Sequence, residues 1–277
     1  MTPSSEVPPL LLETLERAWL EEMIAGFTPA ESKAVGLALT DTEAGTVVSL
    51  RVFPDVPLFN RTLNLGMYRP VTDAALDELL TVARDLSMVR LMAGLIPGAQ
   101  PDDLRDRLLQ RGAQTTRATV QLTRAPEVQH VQRADLHVRV MDAGDQEAFI
   151  DIMVRGMGMP LELSGFPRSL FRRSGWTHYL AWIGGTAVAC ASLHVDGEAA
   201  WFGSAATLPE HRGLGAQTAL IARRLNDAAR AGVWICSMQV DEDLPDRPNP
   251  SERNMRRAGF QTAYRREHLL VPTGMAE

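Results

Sequence analysis

A glycine-containing loop between an apolar strand and a long amphipathic helix constrains this sequence more than any other feature. The run 199–206 is short and apolar enough for a buried strand, and Pro209 ends it. The loop that follows contains Arg212, Gly213 and Gly215. Glycine has no Cβ, so the chain can turn sharply and a ligand can approach the main chain closely. The loop therefore predicts bare backbone N–H groups at a helix start, where an anionic phosphate can bind beside the Arg212 guanidinium.

The residues after the loop predict a helix and then a second buried strand. Apolar residues recur at three- and four-residue steps from Leu214 to Ala228, which gives one core-facing stripe. Gly232 stands where a helix-ending glycine is expected, and residues 233–240 are again mostly apolar. The segment is therefore typical of a strand–loop–helix–strand unit in an α/β protein.

Two blocks of this half resemble the GCN5-related N-acetyltransferase (GNAT) family. The segment Arg212-Gly213-Leu214-Gly215-Ala216 is similar to the acyl-CoA loop of the family, whose pattern is Arg/Gln-x-x-Gly-x-Gly/Ala, but Gln217 stands where a sixth-position Gly or Ala is usual. The segment from Asn249 to Phe260 is similar to the next helix of the family, which closes on a Gly-Phe pair. The two blocks occur in the family's order, and the resemblance spans about residues 136–271.

The resemblance implies an acyl-CoA site at this loop. In the family the strands on either side of the loop splay apart, and the pantetheine arm of acetyl-CoA enters the gap while the diphosphate rests on the loop amides. The residues that the resemblance assigns to cofactor binding are Ala205, Ala206, Thr207, Arg212, Gly213, Leu214, Gly215, Ala216, Gln217, Ser251 and Asn254. No metal is expected. Ser251 is equally suited to cap the helix, and Asn254 to cap a loop.

The catalytic residues are less clearly marked. Many relatives place a tyrosine four residues before the Gly-Phe pair as general acid, and this sequence has Met255 there. Tyr264 could replace it from the next strand, although a packed strand aromatic is an equal interpretation. Asp241 and Glu242 follow the second strand and are candidate bases for an amine of pKa about 10.4, but such an acidic stretch is also typical of a solvated loop. His194 is a further candidate base without a visible partner.

The first half of the chain has its own series of predicted helices and strands. The pattern predicts helices at 10–24, 73–86 (with Thr72 as N-cap) and 102–109, and strands at 46–53, before Gly66, at 87–96 and at 114–123. A length of 277 residues suits two domains. We predict domains at 1–125 and 136–277 with a linker at 126–135.

The two halves show signs of a repeat. Gly112-Ala113-Gln114-Thr115 resembles Gly259-Phe260-Gln261-Thr262 at an offset of 147 (259 − 112), and the same offset aligns Gly66 with Gly213 (213 − 66). We therefore expect an α/β (α+β) protein of two GNAT-like lobes, each with a mixed, mostly antiparallel sheet flanked by helices. Leu65, Tyr68 and Pro70 occupy the places of Arg212, Gly215 and Gln217, so the first lobe is expected to lack the acyl-CoA loop. The alternative is an unrelated α/β domain.

Composition narrows the functional classes. The net charge of −6 argues against a general nucleic-acid binder. Arginines do cluster at 253, 256, 257, 265 and 266, either as a solvated face or as a contact for the 3′-phosphate of CoA. The two cysteines, Cys190 and Cys236, lie in apolar runs and suit a reducing compartment. No apolar run has the length of a membrane helix and the start lacks a signal sequence, so we expect a cytoplasmic protein without a membrane partner.

The sequence thus favours an acetyl-CoA-dependent N-acetyltransferase that moves an acetyl group directly to a primary amine of a small molecule or peptide, as a monomer or homodimer. One alternative is a catalytically weak acyl-CoA-binding sensor or scaffold protein. A dinucleotide-binding oxidoreductase is disfavoured because Thr218 holds the third glycine position of the G-x-G-x-x-G pattern. The sequence contains no G-x-S-x-G elbow, zinc-ligand spacing or Walker loop.

Overall fold

A computed structural model describes residues 7–54, 56, 59–129 and 135–275 of the chain. The helices in these ranges are α1 (Pro9–Gly26), α2 (Pro29–Val35), α3 (Asp73–Asp85), α4 (Leu104–Gln110), α5 (Gln146–Met157), α6 (Gly165–Leu170), α7 (Ala216–Arg230) and α8 (Pro250–Arg257). The strands are β1 (Leu37–Asp41), β2 (Thr46–Leu50), β3 (Arg61–Leu63), β4 (Arg90–Leu95), β5 (Gln114–Arg124), β6 (Leu136–Val140), β7 (Trp176–Ile183), β8 (Thr186–Asp196), β9 (Ala199–Thr207), β10 (Ile235–Asp241) and β11 (Gln261–Pro272).

All of these strands belong to one mixed sheet of order β1-β2-β3-β4-β11-β5-β10-β9-β8-β7-β6. Most neighbours are antiparallel, and the pairs β3–β4 and β9–β10 are parallel. Helices flank the sheet on both faces. Adjacent residues of β10 illustrate this, since Cys236 packs in the cluster that includes α7 and Ile235 packs with Leu12 of α1.

The last strand of each half is exchanged between the halves. β5, from the first half, lies between β10 and β11, and β11, from the second half, lies between β4 and β5. β5 begins at Gln114 and β11 at Gln261, which is again an offset of 147 (261 − 114). The exchange therefore joins the two halves through a continuous ladder of main-chain hydrogen bonds.

The predicted elements agree with the structure in type. The helices predicted at 10–24, 73–86 and 102–109 are α1, α3 and α4, and Thr72 caps α3 by accepting a hydrogen bond from the Ala75 amide at 3.1 Å. The strand predicted at 46–53 ends at Leu50, and within the first half α2 and β1 had no prediction. Within the predicted linker, residues 130–134 lie outside the described residues.

Candidate functional site

The glycine loop connects β9 to α7 through a short 3-10 turn at Pro209–His211. Gly213 and Gly215 have φ angles of 79° and 82°, a left-handed conformation that favours glycine. A Cβ on Gly213 would meet no atom within 4 Å, so its backbone angle, rather than crowding, calls for glycine there. The open space beside Gly213 leaves its main chain accessible to a ligand.

The start of α7 offers unpaired backbone donors. Gly215 is the N-cap residue and provides no side-chain cap for the helix. Among the described residues, no protein group accepts a hydrogen bond from the amides of Gly213, Gly215, Ala216 or Gln217. The first amides of a helix carry a partial positive charge and need a partner from outside the helix. The loop is therefore built to receive an anion.

β9 and β10 separate next to this loop. Their parallel pairing covers only Ile235–Ala199, Cys236–Ala200 and Ser237–Trp201, although β9 continues to Thr207 and β10 to Asp241. On its other side β9 carries a bulge. Ala191 of β8 stands opposite both Ser204 and Ala205, and Ser204 has a φ of 34°. The gap leaves one main-chain edge at the end of β9 without a strand partner, where the resemblance to the GNAT family implies that pantetheine binds.

The gap and the loop open into one cleft of about 660 Å³. Its lining includes ten of the eleven residues predicted to bind the cofactor: Ala205, Ala206, Thr207, Arg212, Gly213, Gly215, Ala216, Gln217, Ser251 and Asn254. The eleventh, Leu214, is 40% exposed and is not part of the lining. The structure thus brings the predicted set together, while its role in binding a cofactor stays a prediction.

Gln217 ties the two helices of the cleft together. Its Nε2 donates to Ser251 Oγ at 3.4 Å, and its Oε1 accepts from Asn254 Nδ2 at 2.5 Å. Asn249, not Ser251, is the N-cap of α8, because its side chain accepts from the Ser251 amide at 3.0 Å. Because its side chain donates to Gln217, Asn254 contacts α7 rather than capping a loop.

Arg212 connects the loop to α5. Its guanidinium donates to the Gly156 carbonyl at the end of α5, at 2.8 Å. Among the described residues it has no carboxylate partner. Its positive charge is therefore available to an anion in the cleft.

The structure places the candidate acid Tyr264 away from the cleft. Tyr264 is buried in β11, where it packs with Leu12 and Ile235 and donates a hydrogen bond to Glu13. Burial, followed by the neighbouring Glu13 carboxylate, raises the pKa of Tyr264 far above its usual value. Met255 is also buried, at 1% exposure, in the core beneath α7.

The candidate bases lie at the end of β10 and both have arginine partners. Asp241 accepts from Arg117 at 2.9 Å, and Glu242 accepts from Arg265 at 3.0 Å. Both carboxylates lie beyond the point where β9 and β10 separate, but neither lines the cleft. The structure does not bring them together with Tyr264.

His194 lies elsewhere. It is buried and stacks on Trp176, with ring centroids 4.8 Å apart, and burial lowers its pKa. It does not line the cleft.

Eight lining residues lie outside the set predicted to bind the cofactor, and they are Gly156, Cys190, His211, Thr218, Leu220, Asn249, Pro250 and Arg257. Gly156 and Cys190 come from α5 and β8, far from the loop in sequence, and no local pattern points to them. Arg257 does lie in the arginine cluster noted above. Within the described ranges, no group of His, Cys, Asp and Glu side chains could hold a metal ion. No helix in those ranges is long and apolar enough to cross a membrane.

The corresponding loop of the first half differs in its backbone partners. The Gly66 amide donates to the Ala44 carbonyl at 3.0 Å, and the Val71 amide donates to the Gln100 carbonyl at 3.0 Å. Thr72 caps the helix that follows. The Gly66 amide, which corresponds to the unpaired Gly213 amide at the offset of 147, is thus satisfied within the first half.

Comparison with known proteins agrees with this geometry. Residues 148–246 match the model of the acetyltransferase (GNAT) family, and this range contains the loop, α7 and both separated strands. Over this range the second half of the chain is similar to the GNAT family. A comparison with curated proteins finds no match to the sequence.

Solved structures resemble the chain over nearly its full length. A GCN5-related N-acetyltransferase from Kribbella flavida is 19% identical with a TM-score of 0.65, and the match covers 95% of this chain and 96% of that one. A tandem GNAT protein from the clavulanic acid biosynthesis pathway is 16% identical with a TM-score of 0.61, covering 97% of both chains. A GCN5-related N-acetyltransferase from Sphaerobacter thermophilus is 16% identical with a TM-score of 0.60, covering 94% and 93%. At these identities the likeness shows the fold.

Proposed function

We propose that the chain transfers an acetyl group directly from acetyl-CoA to a primary amine of a small molecule or peptide. The observation that carries the proposal is the cleft of the second half. There, unpaired amides at the start of α7 adjoin the gap between β9 and β10. The first feature suits a diphosphate and the second suits an extended arm that pairs with main chain.

The residues of the cleft fit the parts of acetyl-CoA. The amides of residues 213 and 215–217, with the Arg212 guanidinium, would hold the diphosphate, each contact contributing about 0.3–1 kcal/mol. The main chain of residues 205–207 would hold the pantetheine arm, because β10 has left that edge of β9 unpaired. Acetyl-CoA supplies the thioester carbon that the amine attacks. The chain contributes the alignment of the two reactants, a large part of the acceleration in such transfers.

The reaction involves two proton transfers, one from the amine and one to the departing thiolate, and they need different amounts of help from the protein. The amine must lose a proton before attack, since its pKa is about 10.4. We propose Asp241 or Glu242 as the base, because both lie at the end of β10, beyond the residues that pair with β9. The departing thiolate has a pKa of about 8.5, so a general acid helps but is not obligatory. This suits a chain with buried Met255 at the usual tyrosine position.

Two observations favour a second candidate, a catalytically weak acyl-CoA sensor or scaffold. Met255 carries no proton to donate, and Tyr264 donates to Glu13 away from the cleft. Tight binding of CoA without turnover of any amine in a broad panel would select the sensor.

We also propose that the first half is a related lobe without a donor site. Three observations support this relation. The strands β5 and β11 begin 147 residues apart, the two halves exchange these strands, and the chain is similar in structure to a tandem GNAT protein. The Gly66 and Val71 amides donate to carbonyl groups of the first half, which supports the loss of the site.

Thermal unfolding with and without acetyl-CoA tests the site. We expect acetyl-CoA to raise the Tm of the protein and Arg212→Glu to abolish the shift, because the new carboxylate repels the diphosphate. Arg230→Glu is the matched control, since Arg230 is exposed at the far end of α7 and pairs with Asp227. An undiminished shift in Arg212→Glu would show that the loop is not the phosphate site. Turnover with the amine panel then separates enzyme from sensor.

A further inference from the structure

The arginines on and after α8 differ in their partners. Four of the five pair with carboxylates: Arg253 with Asp243, Arg256 with Glu252, Arg265 with Glu242, and Arg266 with Glu13 and Glu16. The fifth, Arg257, is exposed, and its hydrogen-bond partner is the neutral amide oxygen of Asn254 at 2.6 Å. No carboxylate of the described residues neutralises Arg257. Alone among the five, it also lines the cleft.

A chain of side-chain amides holds Arg257 in this place. Arg257 donates to Asn254, and Asn254 donates to Gln217, which is the second residue of α7. Gln217 is the residue that departs from the family pattern, in which a glycine or alanine would have no side chain able to make this contact. The departure therefore links the start of α7 to a guanidinium on α8.

Within the described part of the chain, the cleft thus presents two guanidiniums without carboxylate partners, Arg212 held at α5 and Arg257 held on α8. Arg212 lies in the loop with the unpaired amides, which suits the diphosphate of the proposed donor. His211, the residue before Arg212, ends the 3-10 turn that leads into this loop. A second phosphate group of the ligand would need a cation away from these amides. Arg257 on α8 is a cationic side chain of the lining that can supply it.

We propose that Arg257 binds the 3′-phosphate on the ribose of CoA, with Gln217 and Asn254 as positioning residues. The proposal rests on the proposed function, because it takes CoA as the ligand of the cleft. It makes the chain selective for CoA over 3′-dephospho-CoA, which is identical except for this phosphate.

Calorimetric affinities for CoA and for 3′-dephospho-CoA test the proposal. We expect Arg257→Met to weaken CoA binding about tenfold, the loss that corresponds to about 1.4 kcal/mol, and to change 3′-dephospho-CoA binding less than twofold. Arg253→Met is the matched control, since Arg253 lies one turn earlier on α8 and pairs with Asp243. It should leave both affinities unchanged.

The positioning role has its own readout. Gln217→Ala removes the side chain that holds Asn254 but keeps Arg257, so we expect a partial loss of selectivity, about threefold in the ratio of the two affinities. Equal losses for both ligands in Arg257→Met, or no loss for either, would overturn the proposal while leaving the proposed function in place. Absence of CoA binding by the unmodified protein would overturn both.

Discussion

Tyr264 and Tyr179 are two buried tyrosines that each donate a hydrogen bond to a carboxylate. Tyr264 donates to Glu13 of α1, and Tyr179 donates to Asp227 of α7 at 2.9 Å. Burial raises the pKa of both phenols. A phenol whose proton is held by a carboxylate stabilises the fold, whereas a general acid must reach the leaving group.

Tyr264→Phe separates these roles. We expect the free energy of unfolding to fall by about 1–2 kcal/mol, because one hydrogen bond to a charged group is lost, and kcat to change less than about threefold. Urea unfolding and steady-state rates measure the two effects. Tyr179→Phe, on a tyrosine with no assigned catalytic part, sets the purely structural reference. A loss of about 100-fold in kcat without loss of stability would identify Tyr264 as an acid instead.

Individual side chains of the site differ in how well the sequence predicts them. The loop residues were predictable because glycines, an arginine and a helix start lie together within a few positions. The partners of Gln217 were not, since Ser251 and Asn254 are 34 and 37 positions away and meet it only after the sheet has formed. For the same reason, the sequence did not predict that Tyr264 donates a hydrogen bond to Glu13, which is 251 positions away.

Helix α5 approaches the bulged strand β9 at Gly156. A Cβ on Gly156 would lie 2.9 Å from the Ala206 Cβ, which is too short for two carbon atoms in contact, and 3.1 Å from the Thr207 carbonyl oxygen, which is also tight. The Gly156 carbonyl also accepts the hydrogen bond from Arg212. The spacing between α5 and β9 therefore determines both a wall of the cleft and the position of the loop arginine.

Gly156→Ala should reverse the usual effect of alanine in a helix. Alanine normally stabilises a helix interior relative to glycine by up to about 1 kcal/mol, but here we expect a loss of about 1–3 kcal/mol and weaker acetyl-CoA binding, because α5 must move off β9. Gly158→Ala is the control: Gly158 ends α5 with φ 65°, and a Cβ there meets nothing within 4 Å. It should cost stability without changing affinity. Greater stability in Gly156→Ala would contradict the close approach.

The exchange of β5 and β11 shows what local patterns leave out. Both segments were predicted as strands from their own residues, but their places in the sheet depend on pairings between residues far apart, such as Leu269 with Thr115. The pattern likewise predicted two lobes, yet their strands form one sheet. The alternation of apolar and polar residues identifies a strand and its buried face. Which strands pair with each other depends on the complete set of strands in the sheet.

A buried ion-pair cluster adds to the exchange in joining the two halves. Glu16 of α1 accepts from Arg61 of β3 and from Arg266 of β11, each at 2.5 Å, and all three side chains are almost fully buried. Burial opposes ionisation of Glu16, but the two arginines outweigh it and hold its pKa at about 2. The Glu16 carboxylate thus bridges an arginine from each half.

The two halves should therefore unfold in a single transition. Hydrogen exchange on the intact chain should give the same global opening free energy for amides of β4 and of β10, because neither half keeps its sheet without the other's last strand. Glu16→Gln should lower both values equally, by about 3–5 kcal/mol, since it leaves buried arginines undercompensated. Glu21→Gln, which removes a half-exposed partner of Arg17, should lower them by at most about 1 kcal/mol. A Glu16→Gln effect confined to β4, or two separate transitions, would mean that the shared ladder does not couple the halves, and the second half would then fold without the first.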